Sequence, residues 1–152
     1  MSQATAAHDR ELIVFNIGEQ EYCVDIMSVR EIRGWTPTTP LPSAPAYVRG
    51  VVNLRGTVLP VFDLAARLGL GLSEPTPRHV IIVVWVGARL VGLLVDSVRD
   101  IATASEGMIQ PPPEVGAPEV QELVEGLLAF DGRMLSLIRL DQVAPKMEAM
   151  LA

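Results

Sequence analysis

The side chains most often used as nucleophiles, bases or metal ligands are scarce in this chain, which has two histidines and one cysteine. Neither His8 nor His79 has a cysteine or carboxylate at metal-ligand spacing, and no nucleophile-elbow sequence accompanies them. Gly69-Leu70-Gly71 is not followed by Lys and Ser or Thr, as a phosphate-binding loop would be. Cys23 lies in an apolar stretch, which is typical of a small buried hydrophobe. The residues therefore indicate no catalytic, metal or cofactor site.

Composition narrows the classes of partner. The 152 residues are 49% hydrophobic and 20% charged, enough for a sizeable core, and the net charge is −6. Binding to nucleic acid or to an anionic membrane needs clustered Lys and Arg, and the chain has no basic run. The apolar run over residues 80–86 is too short to span a bilayer, and the N-terminus lacks the plan of a signal peptide. We expect a cytoplasmic protein that does not insert into a membrane.

The sequence repeats itself internally. A shift of 69 positions places residues 12–18 on residues 81–87 and residues 28–32 on residues 97–101. A shift of 76 positions places residues 50–64 on residues 126–140. The matched glycines and the shared Ser-Val-Arg-acid-Ile sequence favour a duplication, with halves over about residues 11–70 and 78–143.

Each half has the pattern of two hairpins joined by a short step and a Pro-containing connection. Asp131-Gly132 between apolar runs predicts a type I′ turn, and Arg55-Gly56 occupies the matching place in the first half. Arg is a poor residue for positive φ, which indicates that Arg55 is retained for its side chain. Short helices are predicted over residues 63–69, 118–124 and 141–151.

These elements predict a mainly β fold. Four or five short strands per half suggest two small barrels or curled sheets packed side by side. Neither half alone has the area for a secure core, so the seam between them should be apolar and permanent. We expect a flexible N-terminal tail over residues 1–10 and a single domain over residues 11–152, made of two intertwined subdomains.

Three stretches carry a resemblance to a known family. Residues 21–34 and 45–64, the second with its Asn-Leu-Arg-Gly core and downstream Pro and Asp, resemble the two signature stretches of the CheW-like domain, and residues 91–101 resemble the matching stretch of its second half. The resemblance implies two five-stranded, SH3-like β-barrel subdomains. It also implies a non-catalytic adaptor without a cofactor, which binds the regulatory domain of the CheA histidine kinase and the cytoplasmic tip of methyl-accepting chemoreceptors in membrane receptor arrays.

The resemblance further implies a receptor groove at the seam. Val29, Val98 and Ile32 would form its apolar floor, although the same three residues could simply be core. Asn53 and Arg55 would be its polar contacts.

The kinase surface is expected at exposed strand ends around Val51 and Leu59, together with Glu31. Arg55 could also pair with Glu31 within the protein.

Three other functions stay open from the sequence. The chain could be an adaptor in a chemosensory pathway whose output is not flagellar. It could also be a small β-barrel enzyme or ligand-binding domain, for which the sequence offers no convergent polar groups. A nucleic-acid-binding barrel is disfavoured by the acidic charge.

Overall fold

A computed structural model describes residues 9–113 and 118–143, and this part of the chain contains ten strands, three short α-helices and two 3-10 helices (Ile26–Ser28 and Glu106–Met108). The strands are β1 (Asp9–Ile17), β2 (Gln20–Asp25), β3 (Val29–Gly34), β4 (Val48–Leu54), β5 (Thr57–Asp63), β6 (Val80–Val86), β7 (Arg89–Val95), β8 (Ser97–Ser105), β9 (Val124–Phe130) and β10 (Arg133–Ile138). The α-helices are α1 (Leu64–Arg67), α2 (Pro118–Gln121) and α3 (Leu140–Val143).

The strands form two five-stranded sheets with the same plan. The first sheet has the order β8-β1-β2-β10-β9, and the second has the order β3-β6-β7-β5-β4. Replacing every strand of one sheet by its repeat equivalent yields the other order. The fold class is therefore confirmed as mainly β, with two five-stranded units and short helices.

The two sheets are not the two repeat halves set side by side. Each half contributes its first hairpin to one sheet and its other three strands to the other. The parallel pairs β2–β10 and β5–β7 join strands of different halves, whereas the other pairs are antiparallel. The predicted intertwining of the two subdomains left open which strands they exchange. Because each half completes the sheet of the other, both halves are needed for either sheet.

Alternation along the strands divides the core into three clusters. In β1, Leu12 and Val14 face the inside of the first sheet, whereas Ile13 and Phe15 face the second sheet. The repeat equivalents in β6 alternate in the same way. The central cluster takes buried side chains from both sheets, which confirms the apolar seam. At about 25 cal/mol per Å² of apolar area, this burial makes the seam a principal source of stability.

The hairpin turns match their predicted conformation. Asp131 and Gly132 have φ of 55° and 76°, and Arg55 and Gly56 have φ of 52° and 89°. Both turns therefore have positive φ at two successive residues, as a type I′ turn requires.

The predicted helices are present but short. Asp63 caps α1 by accepting a hydrogen bond from the backbone N–H of Ala66 at 3.3 Å. The second predicted helix begins at Pro118 and ends at Gln121. The third is described only as far as Val143, and its predicted continuation lies outside the described residues.

The last two residues of the predicted N-terminal tail, 9 and 10, belong to a strand. Strand β1 begins at Asp9, and Arg10 is held by ion pairs to Asp25 at 3.1 Å and to Glu125 at 3.2 Å. These pairs connect the start of β1 to β2 and β9, so residues 9 and 10 belong to the folded domain. Residues 1–8 lie outside the described part of the chain.

Candidate functional site

The β4–β5 turn brings two of the predicted site residues into contact. Arg55 Nη2 donates a hydrogen bond of 2.6 Å to Glu31 Oε1, and Arg33 Nη1 donates to the other carboxylate oxygen at 3.2 Å. Glu31 lies on β3, which is at one edge of the second sheet, and β4 is at the opposite edge. The sheet must therefore curl to let this pair form. The predicted pairing of Arg55 with Glu31 is confirmed.

The Glu31–Arg55 pair lies at the protein surface, and the neighbouring arginines change the pKa of the glutamate. The hydrogen bond from Arg55, followed by the one from Arg33, lowers the pKa of Glu31 below its ordinary value. Arg55 keeps 62% of its side chain exposed, whereas Glu31 keeps 25%. The guanidinium is thus held in place by Glu31 while most of its surface still faces solvent.

The turn around Arg55 has its own support. Asn53 Oδ1 accepts a hydrogen bond of 2.7 Å from the backbone N–H of Gly56 and so closes the turn. Its side chain is exposed, as a polar contact requires, but its oxygen is already used within the protein. Asn53 therefore positions the turn that presents Arg55.

The predicted apolar floor lies on both sheets. Val29 and Val98 are half-buried, and both pack against the central cluster. They lie on β3 and β8, which are repeat-equivalent edge strands. Ile32 is exposed, and so is its repeat equivalent Ile101. The two valines are thus partly core, while Ile32 offers a free apolar surface next to Glu31.

The prediction that Leu59 is an exposed kinase contact is wrong. Leu59 is 0% exposed and belongs to the cluster inside the second sheet. Its neighbour Val58 is 63% exposed. Since neighbouring strand residues point to opposite faces, the exposed apolar side chain lies one position away from the predicted one. Val51 is half-buried, and its backbone pairs with Thr39.

A groove opens beside Val58, and we call it the Val58–Trp85 groove. It has a volume of about 440 Å³ and is lined by Arg30, Thr57, Val58, Pro60, Trp85, Ala88, Arg89 and Leu90. A smaller hollow of about 180 Å³ shares Arg30, Thr57 and Leu90 with it and reaches Arg55. The apolar groove is therefore continuous with the Glu31–Arg55 pair.

The sequence did not single out Arg30, Val58 or Trp85. Arg30 lies between two predicted site residues, and its position in the shared Ser-Val-Arg-acid-Ile sequence was the available signal. Trp85 interrupts an aliphatic run near the end of β6, where the chain leaves the core. An aromatic side chain that is still exposed at a strand end is typical of an interaction surface.

The described residues contain little that could perform chemistry. Cys23 is buried, as predicted, and burial raises the pKa of its thiol to about 12, so it stays protonated at neutral pH. Within residues 9–113 and 118–143, no group of three or more His, Cys, Asp or Glu side chains could hold a metal ion. Across that same part of the chain, no helix is long and apolar enough to cross a membrane.

Comparison with known proteins agrees with the fold and the signature stretches. A model of the CheW-like domain matches residues 11–148. The chain is 58% identical over 139 residues to the chemotaxis protein CheW of Rhizobium meliloti, covering 91% of this chain and 90% of that protein. It is 36% identical over 145 residues to the chemotaxis protein CheW of Klebsiella aerogenes, covering 93% and 86%. The crystal structure of the scaffolding protein TtCheW from Thermoanaerobacter tengcongensis is similar with a TM-score of 0.81 at 32% identity, covering 88% of this chain and 86% of that one.

Proposed function

Because this chain belongs to the CheW-like domain family, we propose that it is a chemotaxis adaptor, a non-catalytic scaffold that couples methyl-accepting chemoreceptors to the CheA histidine kinase. The observation that carries this proposal is the match along nearly the whole chain to proteins named chemotaxis protein CheW. The adaptor acts in the cytoplasm, where it joins receptor arrays at the membrane.

The receptor surface centres on the Glu31–Arg55 pair. The exposed guanidinium of Arg55 and the exposed side chain of Ile32 together offer one charged and one apolar contact. The tip of a helical receptor presents an amphipathic surface, which such a combination suits. Val29 and Val98 support this surface from the central cluster, and Asn53 holds the turn.

The kinase regulatory domain docks on the Val58–Trp85 groove. The groove exposes apolar side chains of Val58 and Trp85, and its charged lining residues are the two arginines Arg30 and Arg89. An apolar centre with an aromatic anchor and a polar rim is typical of a protein interface. A partner that presents apolar side chains next to carboxylates would complement it. Glu31 and Val51 line neither this groove nor the smaller hollow beside it, and they stay predictions as kinase contacts.

Calorimetric titration tests the kinase contact. The chain is titrated into the CheA regulatory domain encoded by the same genome, and we expect saturable one-to-one binding. Val58→Glu should weaken that binding at least about tenfold, because it places a charge in the apolar interface. The matched control is Met134→Glu, which changes the exposed repeat equivalent on the other sheet. Absence of binding by the unaltered chain would refute the function, whereas equal loss in both variants would refute only the location.

Receptor coupling is tested with Arg55→Ala in a reconstituted array of receptor, adaptor and kinase. We expect receptor-stimulated kinase activity to fall, while binding of the isolated kinase domain is retained. Arg78→Ala removes another exposed arginine away from the pair and serves as the control. If Arg55→Ala leaves stimulation unchanged, the receptor surface lies elsewhere.

A further inference from the structure

A second groove lies where the β1–β2 turn of the first sheet meets the segment that follows α1, and we call it the Leu70–Leu72 groove. It has a volume of about 450 Å³. Ile17 from the first sheet, Ala65 from α1 and the two leucines of the segment after α1 provide its apolar lining. It shares no lining residue with the Val58–Trp85 groove. It is therefore a separate surface, to which neither proposed contact assigns a role.

The two leucines are held in solvent by the structure around them. Leu70 is 54% exposed and Leu72 is 59% exposed. Gly69 and Gly71 have φ of 80° and 95°, a conformation that residues with a side chain adopt only at a cost. The N–H of Leu70 donates to the carbonyl of Ala65 at 2.8 Å. This segment is thus bonded to α1.

A buried carboxylate anchors the segment just beyond Leu72. Asp63 is fully buried, and it accepts hydrogen bonds from the N–H of Ser73 at 2.7 Å and from the Ser73 hydroxyl at 2.8 Å. Arg49 Nη1 adds a contact of 3.4 Å to the same carboxylate and donates to the Ser73 carbonyl at 3.2 Å. Releasing Ser73 would leave a buried charge short of partners, which is costly. The contacts of Asp63 and Arg49 with Ser73 therefore hold the segment in the conformation that exposes Leu70 and Leu72.

The side of the groove that faces the two leucines is held in place by contacts of Asp96 and His79. Asp96 accepts a hydrogen bond of 2.7 Å from the N–H of Gly18 in the β1–β2 turn, and its other oxygen lies 3.4 Å from His79 Nε2. The backbone N–H of Thr76 can only donate, and it lies 3.0 Å from His79 Nδ1. Nδ1 of His79 therefore accepts from Thr76, and Nε2 faces Asp96. This chain of contacts joins the two sheets across the groove.

The carboxylates that line the Leu70–Leu72 groove give it a negative charge. Its lining includes the carboxylates of Glu19, Glu74 and Asp96 and contains neither Lys nor Arg. Glu19 and Glu74 are exposed, and neither takes part in a salt bridge within the described residues. A bound partner could neutralise these carboxylates while covering the leucines.

From this geometry we infer that the Leu70–Leu72 groove docks a protein segment that presents leucine-sized apolar side chains beside Lys or Arg. The exposed leucines supply the apolar contact, and the unpaired carboxylates select a basic partner. An anionic lipid surface or nucleic acid is disfavoured by the same charges. The inference does not rest on the proposed adaptor function, because it uses neither the Glu31–Arg55 pair nor the Val58–Trp85 groove.

Nuclear magnetic resonance titration tests the inference with a designed probe. The probe is an amphipathic peptide of roughly 14 residues, with leucines at helical spacing flanked by lysines. We expect saturable shifts of the Gly18 and Gly71 amide signals, because both glycines line the groove. A peptide with glutamate in place of lysine should bind at least about threefold more weakly, since like charges then face each other.

Variants locate the site and its chemistry. Glu19→Gln with Glu74→Gln should weaken binding of the lysine peptide about three- to tenfold. Asp9→Asn with Glu11→Gln removes two carboxylates elsewhere and should leave the affinity unchanged. Leu72→Ser should weaken binding about tenfold through the lost apolar contact, whereas Met134→Ser, at an exposed apolar residue outside the groove, should not.

The outcomes separate this inference from the proposed function. Absence of saturable shifts at Gly18 and Gly71, or equal affinity of the Glu19→Gln, Glu74→Gln variant, overturns it. Leu72→Ser should retain full affinity for the kinase domain, which also shows that the variant is folded. If Leu72→Ser is not folded, the carboxylate variant alone decides the outcome.

Discussion

The hairpin ends of the two sheets are built from equivalent strands but have different chemistry. In the second sheet, Val58, Trp85 and Leu90 line an apolar groove. The repeat shifts place Met134, Asn16 and Glu21 at the corresponding positions of the first sheet.

An ion-pair network occupies that end of the first sheet. Arg133 contacts Glu21 at 3.0 Å and Asp100 at 3.1 Å, and Arg99 contacts Glu21 at 3.3 Å. Two of these four residues keep their charge in the second sheet, where Arg30 and Glu31 correspond to Arg99 and Asp100. The other two do not, because Thr57 and Leu90 correspond to Arg133 and Glu21. The first sheet closes its end with these paired charges, whereas the second leaves Val58 and Trp85 exposed.

The comparison shows which residues of a duplicated fold are free to diverge. Leu12 and its equivalent Ile81 are both fully buried inside their sheets, as are Leu135 and its equivalent Leu59. These inward positions must stay apolar because they form each core. The outward positions at the hairpin ends carry no such constraint, so Leu90 and Thr57 of the second sheet correspond to the charged residues Glu21 and Arg133 of the first.

The largest effect is expected from substituting the glycines at which the backbone of each sheet approaches a neighbouring segment closely. A Cβ on Gly50 would overlap the carbonyl oxygen of Thr39, while a Cβ on its equivalent Gly126 would come within 2.6 Å of an Ile109 methyl carbon and 2.8 Å of the Gln110 carbonyl oxygen. Gly50 also has a φ of 133°. We expect Gly50→Ala to lower the free energy of unfolding by about 3 kcal/mol or more. Gly126→Ala should cost less, because its nearest backbone atom lies at 2.8 Å, farther than at Gly50, and Gly126 does not have a positive φ. Denaturant unfolding measures both, and equal effects would contradict the distinction.

Two substitutions test whether an ion pair of the first sheet can be reproduced at the equivalent positions of the second sheet. Leu90→Glu introduces the residue of the first sheet next to an apolar cluster, and we expect a loss of about 2 kcal/mol. Adding Thr57→Arg supplies the equivalent of Arg133 and should restore about 1 kcal/mol. A double-mutant cycle measures the coupling. Strictly additive effects would mean that the network needs more of its surroundings than these two positions.

Removing one arginine from each end compares their contributions to stability. Arg133 and Glu21 keep only 16% and 15% of their side chains exposed, so Arg133→Ala should cost about 1–2 kcal/mol by leaving Glu21 poorly paired. Arg55 is mostly exposed, so Arg55→Ala should leave the melting temperature nearly unchanged. Thermal unfolding followed by circular dichroism checks the order, and a larger loss for Arg55→Ala would reverse it.

The smallest effect concerns protonation of Glu31. Because its pKa is lowered in the folded state by Arg55 and then by Arg33, its pairing contributes to stability above the ordinary pKa of 4.5. That contribution is lost as the pH falls through the lowered value. Carbon NMR titration of the Glu31 carboxyl should show a midpoint below 4.5, moving up in Arg55→Ala. An unmoved midpoint would show that Arg55 is not the principal cause.

Much of the fold could be predicted because its signals are local. Alternating apolar residues and the turn residues Asp131-Gly132 and Arg55-Gly56 act over a few positions, so the hairpins and their turns follow from sequence. The poor fit of arginine to positive φ singled out Arg55, and its contact with Glu31 was foreseen from the two signature stretches. Which strands the two intertwined subdomains exchange was not foreseen, because strand pattern does not specify which distant strand completes a sheet.

The sequence by itself determined the duplication, the hairpins, the acidic charge and the residues of the Glu31–Arg55 pair, since these depend on residue type and short spacing. The tertiary structure decided where strand β5 leaves the core. Leu59 through Phe62 are buried on both faces there, so alternation no longer marks the surface, and Val58 rather than Leu59 is exposed. It also decided that Leu70 and Leu72 stand in solvent beside unpaired carboxylates. That placement depends on Asp63 and Asp96 holding distant segments together, which no local pattern encodes.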